Sequence, residues 1–237
     1  MMKHTVILLA ALLAAPCFAE EFFNVDFNAA ESGKTPEAQP YRRGETATAP
    51  TRLAMVEPGS AKATDKAGSL ADKPLVLEFA NCSDRSELIF DGGNNLATDG
   101  AVKIAFEVEP LTYKPGSKPG QETVFAIPLI GNSGVGIGIV SYSINSATST
   151  GTISFYPSGG KAVPLGKFAL GEAAKYEITL DLTQGVADIA VNGETKAEKI
   201  PIPIDHAFRL VQFRSGRALG GRDGAFSVAV DNVRISR

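Results

Sequence analysis

The sequence predicts an all-β protein, a two-sheet antiparallel β-sandwich. Two observations carry this. Apolar residues alternate with polar ones at a period of two in segment after segment, clearest in Tyr176, Ile178, Leu180 and Leu182 and in Val102, Ile104, Phe106 and Val108. That period puts one set of side chains on a core face and the other toward water. No stretch carries an amphipathic helical pattern longer than a couple of turns, a heptad or an internal repeat.

The last third is the most legible. After the strand ending at Leu182, Thr183-Gln184-Gly185 turns the chain into a second strand, Val186 to Val191, followed by Asn192-Gly193. Asn-Gly suits a tight type I′ hairpin, in which both central residues need positive φ. Ile200-Pro201-Ile202-Pro203 lacks the N–H groups a central ladder needs and is placed at an edge or crossing. Phe208 to Phe213 is apolar on both faces, as in a doubly covered strand, and 215–224 reads as a glycine-rich loop bearing arginine. In the final strand Phe226, Val228 and Val230 hold one parity, while Val233 and Ile235 hold the other. A phase change at Asp231-Asn232 implies a β-bulge or a strand that switches sheets.

Residues 1–19 have the layout of a secretory signal peptide: Lys3 and His4, the apolar run Val6 to Ala15, then Cys17-Phe18-Ala19. Cleavage after Ala19 is expected, with a secreted or periplasmic product; a lipoprotein signal at Cys17 is the alternative, with Pro16 against it. No other apolar run is long enough to span a bilayer as a helix. The formal charge of −3 becomes one unit more negative once Lys3 leaves, and no basic cluster is present, which argues against a nucleic-acid partner. Cys82 then stands alone, so stability must come from the core of one domain, 20–237, and not from an internal disulfide.

The remaining strands are expected at Phe23 to Phe27, Leu75 to Phe79, Glu87 to Phe90, Val124 to Ile130, Val135 to Ile144 and Ile153 to Tyr156. Residues 29–71 are rich in Gly, Pro, Ser, Thr and charge, and read as a long surface loop with room for one short strand at Leu53 to Val56. Gly134, Gly136 and Gly138 leave one strand face bare, as the close approach of a neighbouring strand, loop or ligand requires.

Tyr-x-Ile-x-Leu, Val-x-x-Ala-Val-Asn-Gly and a last strand ending Val-Asp-Asn-Val-Arg-Ile together resemble the C-terminal half of concanavalin A-like jelly rolls of the laminin-G and glucanase type. The resemblance covers roughly residues 170–237 and implies a jelly roll whose first and last strands pair. It also implies a structural calcium, for which Asp26, Asp231 and Asn232 supply hard oxygen atoms where those strands meet. The alternative is that Asp231-Asn232 only shapes the bulge.

Arg85-Ser86-Glu87-Leu88 resembles a strand motif of jelly-roll alginate lyases, whose Arg and Glu line the groove and bind uronate carboxylates. A guanidinium is well suited to that, since its planar fork grips a carboxylate at two points. The rest of the lyase set departs from the pattern. Ile127-Pro128-Leu129 is the nearest counterpart of a Gln-Ile-His, and Gln212-Phe213-Arg214 of a Tyr-Phe-Lys. Neither supplies the groups that proton abstraction needs.

Glu107 and Glu109 share a strand face about 7 Å apart, a separation of interest for paired-carboxylate hydrolysis. The third carboxylate of the Glu-x-Asp-x-x-Glu pattern of laminarinase-type jelly rolls falls on Thr112, however, and Pro110 interrupts the run, so a solvated face is expected. His206, the one histidine beyond the signal peptide, follows Asp205 in a polar turn and reads as a surface residue; the His and Cys counts also exclude a zinc site built from them. Trp is absent and Tyr limited to five residues, of which Tyr113 and Tyr142 could reach a groove.

The sequence therefore points to an exported module without catalytic machinery that binds polysaccharide or another extracellular ligand. Its candidate contacts are Arg85, Glu87, Tyr113, Tyr142, Arg214 and Arg217. A polysaccharide-active enzyme working through Arg85, Glu87, Glu107 and Glu109 is the alternative. A further one is an adhesion module docking a protein through loops 29–71 and 215–224.

Overall fold

The computed structural model describes residues 21–36, 39–40, 52–56, 61–65, 67–70, 73–80, 87–92, 97–117, 120–131, 134–148, 150–203, 207–216 and 224–237. Sixteen strands and no helix are found among them. They are β1 (Glu21–Val25), β2 (Gln39–Pro40), β3 (Arg52–Val56), β4 (Ala61–Ala63), β5 (Leu75–Phe79), β6 (Glu87–Asp91), β7 (Ala101–Lys114) and β8 (Gln121–Gly131). The second half supplies β9 (Gly136–Asn145), β10 (Thr150–Pro157), β11 (Val163–Phe168), β12 (Ala174–Asp181), β13 (Val186–Val191), β14 (Glu194–Pro201), β15 (Phe208–Ser215) and β16 (Ala225–Ser236).

Two eight-stranded sheets face each other. Sheet A runs β14-β13-β12-β7-β16-β5-β4, with β1 also on β16; sheet B runs β11-β10-β9-β8-β15-β6-β3-β2. All pairings are antiparallel except the short β2–β3 contact. The inner faces interdigitate as one core, in which Phe106 of sheet A meets Phe213 of sheet B edge to face at 5.3 Å. Phe90 and Phe125 extend the cluster through Phe213. Such pairs contribute beyond the area they bury.

The closing meander forms as its pattern requires. Asn192 and Gly193 take φ of 54° and 76°, the left-handed pair that a type I′ turn needs. β14 is the edge strand where Pro201 costs no ladder bond. β1 pairs with β16.

The phase change in β16 is a bulge within one sheet. The register against β7 shifts between Asp231 and Arg234, and Asn232 sits at φ 51°. It falls where β16 changes its other neighbour, from β5 along Phe226–Val230 to β1 along Val233–Ser236. One strand thus presents apolar side chains to the core from both halves.

Several expectations need correction. Residues 29–71 are not one long loop, since β2, β3 and β4 lie within them; β3 is the strand expected near Leu53. Pro110 does not end its strand. β7 runs on to Lys114 by way of a register shift that pairs Pro110 with Val228 and Thr112 with Ser227, and the Pro110 carbonyl accepts from Gly171 N–H at 2.7 Å. A bulge is where proline is tolerated inside a sheet. Gly138 is bare because a neighbouring strand occupies the space: a Cβ there would lie 2.2 Å from the Phe155 ring.

Candidate functional site

The outer face of sheet B gathers the polar residues of interest. Along β6 the inward residues are Leu88 and Phe90, so Glu87, Ile89 and Asp91 point the other way. Phe213 and Val211 of β15 likewise face the core, leaving Leu210, Gln212 and Arg214 outward. Ile127 and Leu129 of β8 are core residues, so this strand offers Ala126, Pro128 and Ile130.

Register converts these parities into rows. Arg214 stands directly opposite Glu87 on one side and Ala126 on the other. Ala126 is opposite Ser141 of β9, which is opposite Ser154 of β10. In the adjacent row Gln212 faces Ile89, and across β8 and β9 Pro128 pairs with Ile139, which pairs with Tyr156. The result is a band of Glu87, Arg214, Ala126, Ser141 and Ser154 beside a band of Ile89, Gln212, Pro128, Ile139 and Tyr156.

The arginine is oriented within the face, since its Nη1 donates to Gln212 Oε1 at 3.4 Å. Glu87, Gln212, Ala126, Pro128 and Ser141 are buried, Arg214, Ile139 and Ser154 are half-buried, and Tyr156 is 41% exposed. The face is therefore covered over β6, β15 and β8 and opens at Tyr156 on β10. At the far end of β6, Asp91 and Arg209 make a buried two-point ion pair, Nε to Oδ1 at 3.0 Å and Nη2 to Oδ2 at 3.1 Å. It ties β6 to β15 at the end of the same face.

Of the residues singled out from the sequence, Glu87 and Arg214 come together here. Arg85 and Arg217, like Cys82, His206, Cys17 and the rest of the signal segment, lie outside the described residues. Tyr142 is corrected: it does not reach the groove. It is 0% exposed in the core, with its hydroxyl donating to Tyr176 at 2.5 Å. Burial pushes both phenols above the ordinary range; their hydrogen bond adds to the rise at Tyr142 and opposes it at Tyr176.

Tyr113 is also turned inward. It packs against the core and donates its hydroxyl to Glu122 Oε2 at 2.9 Å.

The paired glutamates are not a solvated pair. Glu107 is half-buried, but Glu109 is 0% exposed and accepts from Ser69 N–H at 2.8 Å, Ser69 hydroxyl at 2.8 Å and Leu70 N–H at 3.1 Å. These contacts fasten the 67–70 turn to sheet A, the sheet opposite the groove. The other Glu109 oxygen, Oε1, also accepts from Ser69 N–H at 2.9 Å, so both oxygens of this carboxylate are engaged in anchoring the turn.

For calcium, the strand pairing does bring Asp26 beside the bulge, because Val25 is opposite Val233. Asp26 is exposed and accepts from Asn28 N–H at 3.1 Å, while Asp231 is buried and accepts from Asn232 N–H at 2.8 Å. No group of three or more His, Cys, Asp or Glu side chains gathers among the described residues.

The residues missed from sequence are Gln212, whose parity signal was available, Tyr156 and the Asp91–Arg209 pair. Alternation with the inward residues Ile153 and Phe155 gives Tyr156 an outward parity, but whether that position is covered or open had no sequence signal.

Comparison with known proteins agrees with this architecture. No family model and no curated protein sequence matches the chain. Among solved structures it is similar to a sialidase at a TM-score of 0.55 and 12% identity, over 84% of this chain and 19% of that one. It is also similar to alginate lyase A1-II′, a member of polysaccharide lyase family 7, at a TM-score of 0.51 and 15% identity, over 75% and 82% of the two chains. A further likeness is to the marine family 7 alginate lyase AlyA1 from Zobellia galactanivorans, at a TM-score of 0.51 and 12% identity, over 92% and 94%. At these identities the shared property is the fold, a jelly-roll β-sandwich.

Proposed function

We propose that the chain is an exported jelly-roll module that binds an anionic polysaccharide on the outer face of sheet B without cleaving it. The observation that carries this is the row Glu87–Arg214–Ala126 across three adjacent strands. The row supplies a guanidinium for a sugar carboxylate and a glutamate for sugar hydroxyls, with an alanine next in line. Gln212 holds the guanidinium within the face and can exchange its own bond for one to ligand. Arg85 precedes this strand and adds a second cation in the same reading.

Cleavage by β-elimination needs a group to neutralise the uronate carboxylate and a base to take the adjacent proton. β8 brings Ala126, Pro128 and Ile130 to the face, and none of these carries a titratable or hydrogen-bonding side chain. Of the described tyrosines, Tyr113 and Tyr142 are engaged with Glu122 and Tyr176, and the exposed Tyr156 lies three strand spacings, about 14 Å, from β15. The likeness in fold to alginate lyases makes alginate the first polymer to try. The expected route of export is the signal peptide 1–19, and among the described residues no helix is long and apolar enough to cross a membrane.

The test is retention of the mature protein on alginate, polygalacturonate and laminarin, with release of unsaturated sugar ends followed in the same samples. Retention on an anionic polymer, weakened by salt and lost in Arg214→Ala, with no unsaturated ends, is the expected result. Sustained release of unsaturated ends overturns the non-catalytic reading. Equal retention on laminarin overturns the anionic one.

A further inference from the structure

We propose that Tyr156 is a stacking platform for a sugar ring at the open β10 end of the outer face of sheet B, three strands away from Arg214. This rests on the reading of that face as a glycan groove and adds to it a second, uncharged subsite.

Three observations converge. Tyr156 is 41% exposed, although Phe155 and Pro157 on either side of it are buried. It belongs to the same lateral row as Ile139, Pro128 and Gln212, three strand spacings from β15, or about 14 Å. Its outward neighbours at this end, Ile139 opposite it and Ser154 two residues before it, are half-buried, so the ring is the most exposed member of its row.

The two rows match the two sides of a pyranose. A sugar ring has an apolar face of C–H groups and a rim of hydroxyls. Tyr156 and Ile139 offer the apolar side a surface, and Ser154 offers the rim a donor and an acceptor. Few oriented polar groups beside an apolar floor is the usual composition of a small-ligand site. Tyr156 stands at the open end of the face, beside half-buried Ile139 and Ser154, so a ligand reaches it without the buried β6 end having to move.

The chain has no tryptophan and five tyrosines, so the part of a binding-induced change in tyrosine emission that disappears in Tyr156→Phe is the part Tyr156 reports. The experiment titrates the mature protein with alginate and polygalacturonate oligosaccharides, following tyrosine fluorescence and retention together. It compares the wild type with Tyr156→Ala, Tyr156→Phe and Arg214→Ala. Tyr156→Ala is expected to weaken binding about tenfold. Tyr156→Phe should keep it, because the ring face is used and the hydroxyl is not.

The residual binding of Tyr156→Ala should keep the salt dependence of the wild type, while Arg214→Ala should show no retention. Thermal melting of Tyr156→Ala should match the wild type, since the ring is exposed. Wild-type affinity in Tyr156→Ala, alongside lost affinity in Arg214→Ala, overturns the platform and leaves the glycan groove standing. Failure of the wild type to bind either oligosaccharide overturns both.

Discussion

Tyr142 and Tyr176 join the two sheets hydroxyl to hydroxyl, the first on β9 of sheet B donating to the second on β12 of sheet A at 2.5 Å. The Tyr176 ring also stacks on Phe106, with centroids 5.0 Å apart. The bond satisfies the polar tips of two aromatic side chains that the core otherwise uses for their area.

A pH prediction follows from this pair. Both phenols are raised in the folded state, mainly by burial, so the unfolded chain releases these protons first as pH rises. Stability from this source is full below the unfolded value of about 10 and falls as pH climbs above it. In an ultraviolet titration these two tyrosines should ionise only as the protein unfolds. Tyr176→Phe leaves the Tyr142 hydroxyl buried without its acceptor and should cost about 1–3 kcal/mol, whereas the double phenylalanine variant should cost less than the two single changes together.

Asp91 and Arg209 give a second prediction. Both are buried, and each single truncation leaves the other as a buried charge. Asp91→Ala or Arg209→Ala should each destabilise by about 3–5 kcal/mol in denaturant melts, while an apolar double replacement such as Asp91→Leu with Arg209→Met should recover most of that. A double variant as unstable as the sum of the singles contradicts the coupling.

Glu109 is predicted to be an anchor and not a catalyst. Glu109→Gln places an amide NH₂ among the donors of Ser69 and Leu70 and should destabilise by about 1–3 kcal/mol. Amide exchange at these two residues should speed up, and retention on polysaccharide should be unchanged. Gly68→Ala should mimic it, because its Cβ would fall 1.6 Å from Glu109 Oε1 at a φ of +59°. Lost retention in Glu109→Gln with an intact melt would place this carboxylate in the site after all.

The glycines of β9 separate packing from ligand contact. Gly138→Ala drives a methyl group into the fully buried Phe155 ring and should cost about 1–3 kcal/mol. Gly136→Ala meets nothing within 4 Å and should leave the melting temperature within error of the wild type. Equal melting temperatures for the two variants contradict the close approach of β10.

By itself the sequence determined what is local. Period-two alternation places the strands and the parity of their side chains, Asn192-Gly193 specifies its hairpin, and the phase change at Asp231-Asn232 marks a bulge, because each depends only on the backbone geometry of adjacent residues. The outward parity of Gln212 and Arg214, and the core position of Tyr176, follow in the same way. Only the tertiary structure decided which faces are covered and what meets across them. Glu109 and Ser69 are 40 residues apart and Asp91 and Arg209 are 118 apart, so no local pattern links them. Tyr142 has the alternation of any groove-lining residue, yet its strand face is the one pressed against sheet A. Tyr156 has the opposite parity and is left open because the cover over β6 does not extend to β10. Alternation assigns a side chain to one of two faces; long-range pairing assigns that face to core, to cover or to solvent.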